Sequence, residues 1–326
     1  MNDAPDAAGD NAPPVIPWTV PARYATRTRA PLASRIGPVT GPSGTPPTKS
    51  RAVAILGLAD DLGVRLNGGR PGAAGGPAAF RDALSRYGVA EPEGFEWPVV
   101  VDAGDIVPVP GETPDALFET HARVSAASGA LVKLGYVPIG IGGGHDLTFP
   151  FVRGVIDARR ELGLAVPETV VYVDPHLDVR AEPGSGMPFR SLVESCGVRR
   201  LANIGFSPVA NTREHAAWFR THGGTTHAPD EAAAVGSAVG VGALSFDIDS
   251  LDMAYAPGVS ALNPMGLTPR EAAGIIEDLV TRARTRPDAR PWVACADFME
   301  LSPANDPSGR TARLVAHLFL ALLARL

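Results

Sequence analysis

The chain has 326 residues, a formal net charge of -6 and a pI near 5.7, and 20% of its residues are charged. That acidic balance excludes a general nucleic-acid or anionic-membrane binder, and no apolar run approaches membrane-spanning length or forms a signal-peptide core. The only cysteines, Cys196 and Cys295, lie far apart at no ligand spacing, which predicts free buried thiols in a reducing, cytoplasmic setting.

Residues 1–48 are rich in Ala, Pro and Thr with little apolar periodicity. Such a segment buries too little surface to offset its ordering entropy, so a disordered or loosely docked tail is expected, with Trp18 and Tyr24 as its large anchors. From there to residue 326, strand-length apolar runs alternate with helix-compatible stretches. The predicted strands are Ala52–Leu58, Val99–Ala103, Tyr136–Ile141, Thr169–Val173, Leu201–Ile204, Val241–Phe246 and Trp292–Ala296. Between and after them lie predicted helices Pro77–Tyr87, Asp115–Leu134, Pro150–Leu162, Thr212–Thr221, Pro269–Arg284 and Thr311–Leu326. Alternation of this kind implies one α/β domain over residues 49–326: a three-layer α/β/α arrangement around a mostly parallel sheet. Ligands of such sheets bind outside the carboxyl ends of the strands.

The polar residues at those ends carry the chemistry. Asp174, His176 and Asp178 alternate after the run ending at Val173, so on an extended backbone all three would point to one side. Asp247 and Asp249 repeat the spacing after Phe246, and His145 closes the run that ends in Gly142-Gly-Gly144. The glycine run lacks the Lys-Ser/Thr of a phosphate loop, and its predicted role is a sharp turn that delivers His145. Four aspartates and two histidines offer hard oxygen donors tempered by imidazole, a set that suits Mn2+ or a similar octahedral ion better than structural zinc. They exceed the needs of one open site, so two ions sharing carboxylates are expected. Paired ions acidify a shared water, and hydrolytic attack on an electrophilic carbon is the expected reaction class.

The blocks Gly142-Gly-Gly-His-Asp146, Asp174-Pro-His-Leu-Asp178 and Ser245-Phe-Asp-Ile-Asp-Ser-Leu-Asp252 resemble the signatures of the arginase/agmatinase, or ureohydrolase, superfamily. Ala256-Pro-Gly258, Gly266-Leu-Thr268, and Asp297-Phe-Met-Glu300-Leu-Ser-Pro303 followed by Asp306 and Gly309-Arg-Thr-Ala312 extend the resemblance in the same order. It implies an arginase-like fold and two Mn2+ per chain. His145, Asp174, Asp178 and Asp247 would hold one ion, and Asp174, His176, Asp247 and Asp249 the other. Asp178 would orient the nucleophilic water, and Glu300 would face the amidino group of the substrate. Trimers or hexamers are implied as well.

Within the superfamily, the segment Ser185-Gly186-Met-Pro-Phe189 is similar to that of formimidoylglutamases, where arginases and agmatinases carry a histidine. Arg180 and the stretch Gly63-Val-Arg65-Leu-Asn67-Gly-Gly-Arg70 are similar too. The implied reaction is hydrolysis of N-formimidoyl-L-glutamate to glutamate and formamide, in histidine degradation. An acidic substrate needs cationic partners, and Arg180, Arg190, Arg65 and Arg70 are the candidates, with Ser185 and Gly186 beside them. A guanidino hydrolase releasing urea is the alternative, and a non-catalytic binding subunit is the alternative of another class. His121, His215, His222, His227 and His317 fall outside these blocks. His227 is the one to check, and it reads as an ordinary loop histidine. Pro175 removes a backbone donor, which predicts an irregular strand end there.

Overall fold

The computed structural model describes residues 16–22, 24, 36–39, 52–88, 97–281 and 292–326. Its strands are β1 (Thr19–Val20), β2 (Gly37–Pro38), β3 (Val53–Gly57), β4 (Val100–Ile106) and β5 (Val137–Ile141). They continue as β6 (Thr169–Val173), β7 (Arg200–Ile204), β8 (Gly224–His227), β9 (Gly242–Asp247) and β10 (Val293–Met299). They form one 10-stranded sheet in the order β1-β4-β3-β5-β10-β9-β6-β7-β8, with β2 also against β4. Every pairing is parallel except that of β1 with β4.

Side-chain alternation explains the layering. On β3, Val53 and Ile55 enter one hydrophobic cluster while Ala54 and Leu56 enter another, and β6 divides Val171 and Val173 from Val170 and Tyr172 in the same way. A strand buried on both faces needs helices on both sides. Helices α2 (Gly76–Leu84), α7 (Ala232–Ala238), α8 (Pro269–Thr281) and α9 (Arg310–Leu323) cover the first face. Helices α3 (Pro114–Lys133), α4 (Thr148–Glu161), α5 (Pro188–Cys196) and α6 (Arg213–Thr221) cover the second. A short helix α1 (Leu62–Leu66) follows β3. The expected three-layer α/β/α architecture is therefore present. No helix among the described residues is long and apolar enough to cross a membrane. Cys196 and Cys295 are buried and free.

The predicted strands and helices recur within a few residues of their expected ends. Four differences carry information. β10 runs on to Met299, bringing Asp297 into the sheet. α5 begins inside the Ser185–Phe189 segment, where no helix was predicted, and Pro188 occupies its first turn, where the missing N–H costs nothing. The short elements β8, α1 and α7 carry too few residues for a periodic signal. Residues 282–284 of the predicted helix Pro269–Arg284 lie outside the described set.

The N-terminal stretch supplies β1 and β2. Thr19 and Val20 pair with Ile106 and Asp105, and the Arg123 guanidinium lies 4.9 Å above the Trp18 ring. The Tyr24 hydroxyl donates to Asp102, which also receives Nε and Nη2 of the buried Arg81 at 2.8 and 2.9 Å. Arg81 reaches Asp105 at 2.6 Å as well, so the guanidinium is fully compensated inside the sheet edge. Tyr24→Phe removes a donor to a buried carboxylate and is expected to cost about 1–3 kcal/mol. Thermal unfolding of that variant checks it, and an unchanged Tm would show that Tyr24 does not anchor the arm.

Candidate metal centre

Four central neighbours, β5, β10, β9 and β6, end at one edge, and each delivers a polar group there. His145 follows β5, Asp247 ends β9, and Glu300 follows β10. Asp174 follows β6, which stops at Val173 before Pro175. Gly142 and Gly143 make the turn that the sequence implied, with φ of +74° and +82°. A Cβ on Gly143 would lie 2.1 Å from the Leu58 carbonyl oxygen, so only glycine fits.

Asp174, His176 and Asp178 converge, but through a tight turn rather than an extended strand. The Asp174 carboxylate accepts the His176 amide at 2.6 Å, and Asn203 donates to the carbonyls of Asp174 and His176 at 2.9 and 3.1 Å. Asp178 then takes φ of +46°, and Glu300 takes +66°. Left-handed backbone at a non-glycine residue costs about 1 kcal/mol or more and persists where the surroundings impose it.

His145 Nδ1 lies 3.4, 3.0 and 2.9 Å from carboxylate oxygens of Asp174, Asp178 and Asp247. His176 Nδ1 lies 3.3 Å from Asp174 and 3.3 Å from Asp249. The donor atoms of His145, Asp174, Asp178 and Asp247 all fall within 4.8 Å of one another, and so do those of Asp174, His176 and Asp249. Asp174 is common to both groups. Asp247, expected in both, falls within that distance in the first group, and its Oδ1 also accepts the Asp249 amide at 2.8 Å.

The cluster fits cations. His145 Nδ1, Asp174 Oδ2 and Asp249 Oδ1 are buried without a hydrogen-bond partner, although opposite charges crowd around them. Burial holds the Asp247 carboxyl well above its usual range, and Asp249 adds to this. Burial, then Asp174 and Glu300, push Asp249 up to about 6. Burial and the neighbouring Asp174 raise Asp178. Burial opposes charge on His145 and His176, yet the surrounding carboxylates outweigh it and raise both. Such a set lacks positive charge, and divalent ions supply it.

Comparison with known proteins agrees. The family model described as the arginase family matches residues 51–324. A formimidoylglutamase of Aromatoleum aromaticum is 35% identical over 300 residues, covering 83% of this chain and 82% of that protein. One from Geobacillus kaustophilus is 33% identical, covering 82% and 81%. The solved structure of Trypanosoma cruzi formiminoglutamase with a Mn2+ pair superposes with a TM-score of 0.68 at 28% identity, covering 86% of this chain and 95% of that one. The chain belongs to the arginase family.

A cavity of about 230 Å3 opens above the cluster and is lined by His176, Asp178, Asp247, Asp249 and Glu300 at its base. Arg180, Ser185 and Gly186 line its wall. The Arg180 amide donates to the Gly186 carbonyl at 2.8 Å, and a Cβ on Gly186 would meet Arg180 Cδ at 2.8 Å. The missing side chain thus makes room for the arginine. Asn67 donates to Ser185 at 2.8 Å and ties this loop to α1. No carboxylate among the described residues pairs with Arg180.

The other three arginines are engaged elsewhere. Arg190 lies on α5, pairs with Glu194 at 2.9 Å and stacks 5.1 Å above the Trp218 ring. Arg65 is bound by Asp61 and by Glu112, the latter at 2.9 Å. Arg70 donates to the carbonyls of Val259 and Ser260 at 2.7 and 3.0 Å, holding the loop that carries Ser260. None of the three lines the cavity. His227 contacts Thr225 and sits on the edge strand away from the site. His215, Asn211, Thr212 and Asn67 line the cavity without having been singled out. Asn211 and Thr212 follow β7 at the same sheet edge, which was the available signal.

The electrostatics set a pH dependence. Asp249 and Asp297 near 6, and Glu300 near 8, keep protons in the cation-free folded state that they lose in the unfolded chain. Stability therefore falls as pH rises from the ordinary carboxylate range toward about 8. The raised histidines act in the same sense: their contribution is complete below the unfolded value and is lost as pH climbs through the folded one. Asp174, lowered because its bonds to His145 and His176 outweigh burial, acts oppositely and only at more acid pH. Chelator-treated protein is expected to lose Tm between about pH 5 and about pH 9, and divalent cation to flatten the profile. A flat profile without cation would contradict the assignment.

Proposed function

We propose that this chain hydrolyses N-formimidoyl-L-glutamate to L-glutamate and formamide with two Mn2+, held by His145, Asp174, Asp178 and Asp247 and by Asp174, His176 and Asp249. The observation that carries the substrate is the pairing, within one cavity, of an unengaged Arg180 with an unengaged Glu300 oxygen. A ligand anionic at one end and cationic at the other matches both. The relatives that bear the name formimidoylglutamase support the same choice.

Bound divalent ions supply Lewis acidity and a water acidified enough to act as nucleophile at neutral pH. Asp178, whose side chain is 15% exposed at the cavity base, is placed to orient an attacking water and would take up its proton. Glu300 Oε1 accepts the His145 amide at 2.9 Å, which leaves the buried Oε2 free for an amidino N–H. Burial, followed by Asp247, raises Glu300 to about 8, and a cationic amidine beside it restores the carboxylate. Arg180 holds a carboxylate of the glutamyl portion, with Ser185 and the Gly186 backbone shaping the wall. Attack at the formimidoyl carbon, with cleavage of its bond to the glutamyl nitrogen and transfer of a proton to that nitrogen, gives the two products.

Two buried free cysteines suit a reducing cytoplasm. Exposed Met253, Tyr255, Leu262 and Met265 on one loop support a homo-oligomer.

Supplying Mn2+ and reading formamide, urea and ammonia separately tests the reading. Formamide from formimidoylglutamate is expected, with little urea from arginine or agmatine. Arg180→Ala is expected to raise KM about ten- to hundredfold, the equivalent of about 1.5–3 kcal/mol, with Mn2+ content unchanged. Efficient urea release without formamide would make the chain a guanidino hydrolase, and full metal loading without turnover would make it a binding subunit.

A further inference from the structure

β9 and β10 place Ser245 and Asp297 directly opposite each other in register, two residues before Asp247 and three before Glu300. The Ser245 hydroxyl donates to Asp297 Oδ1 at 2.5 Å, and Ser245 Oγ lies 3.0 Å from Nε2 of His145. All three side chains are buried, with about 1% exposure. On the neighbouring strand β5, Gly140 stands beside Asp297 in register, and a Cβ there would come within 3.1 Å of the Asp297 Cβ. The absent side chain leaves this face of the sheet open for the carboxylate.

A hydroxyl has one proton to give. Once Ser245 donates it to Asp297, its oxygen can meet His145 only as an acceptor, so Nε2 must carry a hydrogen. An imidazole that binds an ion is neutral and has only one ring proton, so with Nε2 protonated it is Nδ1 that offers its lone pair. That lone pair faces Asp174, Asp178 and Asp247, which stand 2.9–3.4 Å away without hydrogen-bond alignment. His176 is built differently: its side chain is 30% exposed, and its contacts to Asp174 and Asp249 are made through Nδ1. No protein group among the described residues fixes its other nitrogen.

We infer that the Ser245–Asp297 pair is a positioning device for one of the two cation sites, locking His145 in the tautomer that offers Nδ1 to the ion. Outer partners of this kind orient a metal-binding imidazole and raise its basicity, and their loss typically weakens metal binding about 10–100-fold. The pair touches neither substrate nor the reacting atoms. It acts on the site holding His145 and leaves the site holding His176 unaffected. The inference rests on reading the cluster as a two-cation centre, and is independent of which amidine is hydrolysed.

The test is Mn2+ binding to the full chain, by equilibrium dialysis with the free-ion electron paramagnetic resonance signal, for wild type, Ser245→Ala, Ser245→Cys and Ser245→Thr. Wild type is expected to bind two ions. Ser245→Ala should keep one at wild-type affinity and bind the other about 10–100-fold more weakly. Ser245→Thr, which retains the hydroxyl, should restore it. Ser245→Cys keeps the volume but offers only a weak acceptor, and should behave as Ser245→Ala even if the alanine variant does not fold. Unchanged binding of both ions in the alanine and cysteine variants, or equal weakening of both, would overturn the inference. Fewer than two ions on wild type would overturn the cation-site reading itself, a failure that the variants cannot imitate.

Discussion

Burial of like charge is the constraint on which the rest of this molecule depends. Asp174, Asp247 and Asp249 are almost completely buried at one sheet edge, with Asp297 and Glu300 close behind them. Carboxylates in that setting repel each other and lose hydration, and two imidazoles neutralise only part of the charge. Burial and neighbouring carboxylates push Asp247, Asp249 and Glu300 upward, the sign of that imbalance. A fold retains such an arrangement where a cation completes it, as metal centres do.

The surrounding architecture reads as support for that cluster. Strands β5, β10, β9 and β6 deliver the groups from adjacent positions, so no long loop has to be ordered to assemble them. Glycines at 142 and 143 absorb the turn into His145, and Phe189 packs edge-on against its ring at 5.3 Å. The same Phe189 stacks on Tyr172, whose hydroxyl donates to the Leu177 carbonyl at 3.0 Å and steadies the turn between His176 and Asp178. Backbone strain is confined to Asp178 and Glu300 within the site, and Trp18 is the other non-glycine residue with positive φ among those described. Strain stored at the reacting end and regular structure elsewhere is the usual division between function and scaffold.

How much of this the sequence disclosed follows from the range of each interaction. The residues of the candidate cation cluster were legible because their spacing is local: Asp174, His176 and Asp178 keep period two even though the backbone makes a turn where a strand was assumed. The layered fold was legible from apolar runs alternating with helical stretches. Arginine roles were not, because they depend on partners distant in the chain. Arg65 meets Glu112 and Arg70 meets carbonyls near residue 260, and neither contact leaves a local trace. Arg190 and Arg65 also have partners four residues away, Glu194 and Asp61, but these read as helical ion pairs only with α5 and α1 in hand, and neither helix was predicted. Strands of two residues, such as β1 and β2, carry no period at all. Ser245 and Asp297 illustrate the remaining gap: both sat inside recognised motifs, but only strand register brings them opposite each other and next to His145.

Asp174 is the side chain shared by both groups, so its removal tests the central claim most directly. Metal content per chain, measured by mass spectrometry after Mn2+ loading and desalting, should be two for wild type and near zero for Asp174→Ala. Asp249→Ala, which touches one group only, should retain one. An Asp174→Ala protein that still held two ions would contradict the account of a centre organised around that carboxylate.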